Sequence, residues 1–137
     1  LRLEAPVSRI WELKDLIPTG TVKPAEPGRD LSVGIVLGDQ EFDDVYAGLN
    51  EGLDPEEMSE STYTDPAAGR SIVVTADSGF RELVVYAPRD RGVICIEPYT
   101  CATDAFNLAN QGIDAGMIVL EPGDSWSSYV RYETRQV

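Results

Sequence analysis

The chain has 137 residues, with 11 Lys and Arg against 24 Asp and Glu, no histidine and two cysteines. That is the length of one domain, able to bury about two thirds of the surface its unfolded chain exposes. The formal charge of −13, with no contiguous basic stripe, argues against nucleic acid and against an anionic membrane surface, because both recruit clustered Lys and Arg; a neutral polar ligand is not repelled.

Short runs rich in Val, Ile, Tyr and Trp alternate with Gly, Pro, Asp and Ser clusters, which predicts antiparallel strands in an all-β sandwich. The first strand is expected over residues 7–13, followed by turns at Ile17-Pro18-Thr19-Gly20 and over 24–29, and a second strand over 31–37. Asp54-Pro55-Glu56-Glu57 offers an N-cap followed by Pro at the first helical position, so a single helical turn is expected there. Residues 71–76 and 80–87 are expected to pair as a hairpin across Asp77-Ser78-Gly79, with Gly79 supplying a positive φ. Pro88-Arg89-Asp90-Arg91 then turns the chain into a strand over 92–97 that carries Glu97 to its exit. Residues 103–112 predict a second helical turn, capped by Asp104 and ended by Gly112. An apolar run over 116–121 predicts a strand bracing the one that bears Glu97, and Pro122-Gly123-Asp124 separates it from a last strand over 126–134. No repeat, low-complexity tract or linker divides the chain, so residues 1–137 are expected to form a single β-sandwich domain or part of a larger one. Leu1-Arg2-Leu3-Glu4 is neither an initiator segment nor a signal peptide, and the chain is expected to begin inside a longer protein.

Cys95 lies in an apolar strand and Cys101 in the loop beyond, which is not the framework of a disulfide-rich secreted domain. With no Asn-x-Ser/Thr site and no apolar run long enough for a membrane helix, a cytoplasmic protein with reduced thiols is expected. The absence of histidine removes the commonest acid or base at neutral pH, the Ser-His and Cys-His nucleophiles and His-based zinc sites. Neither a phosphate loop nor a dinucleotide fingerprint is present, and no metal or cofactor is expected.

Carboxylates are the chemistry that remains. Glu97 stands at a strand exit, Asp43 within Glu41-Phe42-Asp43-Asp44-Val45-Tyr46, and Asp104 in the loop after Glu97. The plain alternatives are a solvated strand-edge residue, a turn residue beside Asp44 and a helix N-cap. Sugar binding places aromatic rings beside such carboxylates, since a pyranose offers an apolar C–H face and hydroxyls together; Tyr99, Phe106 and Trp126 are the candidate rings. Each of the three also fits an ordinary core or strand position.

In order, Ile17-Pro18-Thr19-Gly20, Glu41 to Tyr46, Gly92-Val93-Ile94-Cys95-Ile96-Glu97-Pro98-Tyr99-Thr100 and Leu120-Glu121-Pro122-Gly123-Asp124 resemble the aldose 1-epimerase (galactose mutarotase) family. The resemblance covers most of the chain and rests on four motifs in one order. In that family they fall in the C-terminal half of a larger antiparallel sandwich, the mutarotase-like supersandwich. The resemblance implies interconversion of the α and β anomers of free aldohexoses, with Glu97 as general base and Asp43 holding sugar hydroxyls.

Two departures accompany it. The family's general acid is a histidine, joined by a second histidine at the sugar, both in the N-terminal half; this chain has neither. The loop after Glu97 reads Ala102-Thr103-Asp104-Ala105, without the family's Pro, which leaves Asp104 as a loop-ordering residue. The resemblance therefore implies association with an N-terminal segment or with a second copy, and little catalysis by these residues alone. A non-catalytic carbohydrate-binding module, a sandwich that has lost its ligand, and a hexose 6-phosphate epimerase, for which Arg89 and Arg91 are the only cue, are the alternatives.

Overall fold

A computed structural model describes residues Leu1–Val137. Ten strands form two five-stranded antiparallel sheets, the expected all-β sandwich. From edge to edge the first sheet contains β10 (Val130–Gln136), β7 (Arg70–Ala76), β6 (Ser59–Asp65), β1 (Arg2–Glu4) and β4 (Ile35–Val36). The second contains β3 (Ile17–Pro24), β2 (Arg9–Lys14), β5 (Phe42–Ala47), β8 (Glu82–Ala87) and β9 (Cys95–Tyr99).

Successive side chains of a strand point to opposite faces, and here both faces of the second sheet are used. Phe42, Tyr46, Leu83, Val85 and Ile96 pack inward against Leu3, Val74 and Ala76 of the first sheet. Trp11, Val45, Ala47 and Val84 point outward and are covered by Ala102, Ala105, Leu108 and Ala115 of the segment that holds the short helix α1 (Ala105–Asn110). Double coverage is why β8 reads Leu83-Val84-Val85 without polar alternation. Burying each such side chain stabilises by about 1.5–3 kcal/mol, and truncating Leu83 to Ala would cost about 2–5 kcal/mol.

The Asp77-Ser78-Gly79 segment does not close a hairpin. β7 pairs with β6 and β10, whereas β8 pairs with β5 and β9, so the segment carries the chain from one sheet to the other. Gly79 is not needed for a positive φ but for space, since a Cβ there would lie 2.8 Å from Trp126 Cζ2 and collide with Ser128. Asp77 organises the crossover: it accepts from Gly79 N at 3.0 Å, from Tyr129 N at 2.9 Å and from Ser128 Oγ.

Ile17-Pro18-Thr19-Gly20, expected as a turn, instead opens β3. The turn lies just before it, where Asp15 (φ 53) and Leu16 (φ 66) both take left-handed backbone angles between paired Lys14 and Ile17. Pro18 and Pro24 are tolerated because β3 is an edge strand. Residues 31–37 divide into a 3-10 turn over Leu31–Val33, capped by Asp30 accepting from Ser32 N, and the two-residue β4. Residues 116–121 form no strand; the chain from 118 to 127 runs exposed toward β10, broken by a turn in which Asp124 N donates to Glu121 O. The turn at 54–57 forms as expected, with Asp54 N donating to Glu57 Oε2 at 3.0 Å and Glu57 N to Asp54 O at 2.9 Å. Asp104 stands at the N-cap position of α1 in a left-handed conformation (φ 61), but its side chain accepts from Asn107 Nδ2 at 2.5 Å rather than capping the backbone. Gly112 (φ 77) follows the end of the helix. No helix is long and apolar enough to cross a membrane.

Candidate functional site

Antiparallel register aligns the outward side chains of β5, β8 and β9 in rows: Asp43, Tyr86 and Cys95; then Val45, Val84 and Glu97; then Ala47, Glu82 and Tyr99. Val45, Val84 and Ala47 belong to the covered outer cluster, which fixes the face these rows share. Asp43 and Glu97 thus lie on one face, one row and two strands apart, roughly 12 Å between Cα atoms by strand spacing. Between them stands Tyr86, half-buried, an aromatic that the motif reading passed over. Its signal is the period of two: it follows Val84 on the face that meets Asp43.

Glu97 is half-buried on an edge strand, and its Oε2 accepts from Tyr99 Oη at 3.0 Å. Burial, then the hydrogen bond to Glu97 and its charge, push the Tyr99 phenol up, which keeps it a donor. Tyr99, expected as a stacking ring, therefore uses its hydroxyl to hold the Glu97 carboxylate. Asp43 is exposed on the same face. Its neighbour Asp44 points the other way, where Arg29 Nη1 donates to Oδ2 at 2.5 Å and the guanidinium lies 4.0 Å from the Phe42 ring centroid. Burial raises the Asp44 carboxyl despite the opposing pull of Arg29. The adjacent acids thus divide between an open face and a structural ion pair.

Phe106 and Trp126 stand outside this group. Phe106 is 77% exposed on the side of α1 turned away from Ala105 and Leu108. Trp126 lines a separate cleft of about 450 Å³ with Asp77, Ser78 and Tyr129. Asp104 bonds within its own loop.

The structure adds Glu82, an acid buried in an apolar strand and only 3% exposed. Trp11 Nε1 donates to its Oε2 at 2.9 Å. Burial pushes this carboxyl up to about 7, outweighing the indole bond and the charges of Arg81 and Arg9, while Asp114 adds to the rise. It borders a cleft of about 490 Å³ together with Arg9, Glu51, Arg81 and Asp114. The sequence cue was a carboxylate at a core-period position in Phe80-Arg81-Glu82-Leu83-Val84-Val85.

The family model described as Aldose 1-epimerase matches residues 1–133. A galactose mutarotase-like protein from Clostridium acetobutylicum shares the fold with a TM-score of 0.80 at 19% identity, covering 99% of this chain and 41% of its own. A candidate aldose 1-epimerase from Escherichia coli K12 superposes with a TM-score of 0.76 at 20% identity, covering 99% of this chain and 46% of its own. The chain thus spans less than half the length of each of these two structures.

Proposed function

The chain belongs to the aldose 1-epimerase family, and on that premise we propose that it takes part in interconverting the α and β anomers of an aldohexose, with Glu97 as general base. Ring opening requires a base to take the proton of the anomeric hydroxyl while an acid protonates the ring oxygen. As the C1–O1 carbonyl forms, the bond from C1 to the ring oxygen breaks; rotation about C1–C2 and the reverse steps give the other anomer. Tyr99 holds Oε2 of Glu97 and leaves Oε1 for the anomeric hydroxyl. Asp43 accepts from hydroxyls elsewhere on the sugar, and Tyr86 offers its ring to the apolar sugar face. The observation that carries this reading is the placement of Glu97 and Asp43 on one face of one sheet, on either side of Tyr86.

The family's acid is a histidine, and no histidine occurs in these 137 residues. A companion segment of the same protein, outside these 137 residues, supplies the acid in this reading. Glu97 lies on β9, the edge of the second sheet, where an added strand would run directly beside it. Free Cys95 and Cys101 suit a reducing, cytoplasmic setting. Polarimetry of freshly dissolved α-galactose or α-glucose tests the chemistry with the companion segment present. Glu97→Gln should reduce the rate to the uncatalysed one, and an unchanged rate overturns the assignment of the base.

Two other readings rest on particular observations. Without a companion acid the same face would serve a carbohydrate-binding module, which saturable sugar binding without faster anomerisation would select. Arg89 and Arg91, without salt-bridge partners, line a cleft of about 520 Å³ with Tyr86, Glu41 and Asp90, and the two guanidiniums are the groups that a hexose 6-phosphate would need. A preference for glucose 6-phosphate over glucose, lost on replacing both arginines, would select that substrate.

A further inference from the structure

We propose that the cleft at Glu82 is a second binding site, separate from the strip around Glu97, and that it takes a neutral polyhydroxylated ligand. Glu82 projects from the outer face between Ala47 and Tyr99, and the bond from Trp11 Nε1 to Oε2 fixes the plane of its carboxyl. Its other oxygen, Oε1, has no hydrogen-bond partner in the chain and is not sealed from solvent, so a nearly buried acid presents one open atom to the cleft. A carboxyl held rigidly with one free oxygen is a preorganised partner for a hydroxyl.

The rest of the lining decides the ligand class. Both guanidiniums at the cleft are already neutralised: Arg81 grips Asp114 through Nη1 to Oδ1 at 2.9 Å and Nη2 to Oδ2 at 3.2 Å, and Arg9 pairs with Glu51. A phosphate or carboxylate ligand would have to displace those partners and approach a chain of formal charge −13. Nor do three His, Cys, Asp or Glu side chains converge here as metal ligands do. Glu51 and Asp114 are engaged in those same pairs, so an organic cation finds no unpaired carboxylate here beyond Glu82. Hydroxyls suit the site, because the paired side chains offer donors and acceptors side by side and each hydroxyl is both at once. The carboxyl's elevation to about 7 lets it donate or accept near neutral pH.

The probe is sorbitol, an open-chain polyol with no anomeric centre, followed through the Trp11 indole N–H resonance in ¹⁵N-labelled chain. A saturable shift is expected at millimolar sorbitol and none with inorganic phosphate. Glu82→Gln preserves an acceptor for the indole but changes the open group, and should weaken the response by about tenfold, as loss of one charge-assisted hydrogen bond does. Ser78→Phe, at the exposed rim of the cleft, should block it without touching the core. Glu97→Gln should leave it unchanged, which separates this site from the proposed anomerisation chemistry. A Trp11 resonance that does not move, that moves equally in Glu82→Gln and Ser78→Phe, or that follows phosphate overturns the proposal.

Discussion

Tyr99 reaches back along its own strand to donate its phenolic O–H to Glu97 Oε2 at 3.0 Å. Residues two apart on a strand share a face at roughly 6.6 Å spacing, so a long tyrosine can lean onto its neighbour. The contact orients one carboxylate oxygen and leaves the other free.

Tyr99→Phe keeps the ring and removes that donor. Hydrogen bonds to charged acceptors are worth about 1.5–3 kcal/mol, so with Glu97 as the proposed base the variant should lower kcat for the proposed anomerisation at least about tenfold. KM should change little, because the hydroxyl serves Glu97 rather than the sugar. Polarimetric kinetics with the companion segment present measure both; a rise in KM at constant kcat would show that Tyr99 binds sugar directly.

Glu82 gives the chain an uncommon dependence of stability on pH. Its carboxyl rises from 4.5 to about 7 in the fold, so below about pH 4.5 it is protonated in both folded and unfolded states. As pH climbs, the unfolded chain ionises first, and the folded state loses about 3 kcal/mol by the time pH passes about 7. The groups facing it are Trp11 and Arg9 from β2, Arg81 just before β8, Glu51, Tyr99 from β9 and Asp114. Asp114, held low by its hydrogen bond from Arg81, acts in the opposite sense; so does Asp77, where burial is outweighed by hydrogen bonds from Ser128, Tyr129 and Gly79. Both lose their contribution only as pH falls below the usual carboxylate range, beneath the window in which Glu82 ionises. In urea unfolding, Glu82→Gln should therefore gain on the parent chain between about pH 4.5 and about pH 8. Parallel stability curves would disprove the shift.

Leu16 occupies a left-handed backbone conformation at φ 66 and is 64% exposed, so its side chain contributes strain without much burial. Leu16→Gly should stabilise the chain by about 0.5–1 kcal/mol, the relief of that strain less the added freedom of the unfolded glycine. A rise in Tm checks it; a fall would mean that Leu16 packs on something in solution.

Gly20 (φ 93) lies beside the register shift of β2 and β3, and a Cβ there would strike Ile113 Cδ1 and lie 3.6 Å from Leu108 Cδ2. Gly20→Ala should cost about 2–4 kcal/mol from backbone strain and overpacking together. Because Leu108 and Ile113 belong to the cover over Trp11, indole fluorescence should shift to the red along with the loss of Tm.

The sandwich was legible from its turn chemistry and β-branched runs, and the motifs singled out Asp43 and Glu97, which the strand register sets on one face. The pairing was not, because local signals do not say which sheet a strand joins: Asp77-Ser78-Gly79 looks like a hairpin loop yet links the two sheets. β6 was silent because Ser59 and Ser61 fill the interior with hydroxyl-bearing side chains instead of apolar ones. Conversely, Ile118, Val119 and Leu120 look like a strand but are exposed and unpaired. Glu82 was hidden for a related reason, since only tertiary contact with Trp11 makes a carboxylate fit a core position.

The exposed run from 118 to 127 is a tether of a particular kind. Beyond it, β10 pairs with β7 at seven positions, and Asp77 clasps Ser128 and Tyr129 at its entry. Severing the tether would leave the last strand as a bound peptide in a slot shaped for it. The chain thus contains a latent two-piece protein, whose reassembly would be a peptide-binding equilibrium in place of a folding reaction.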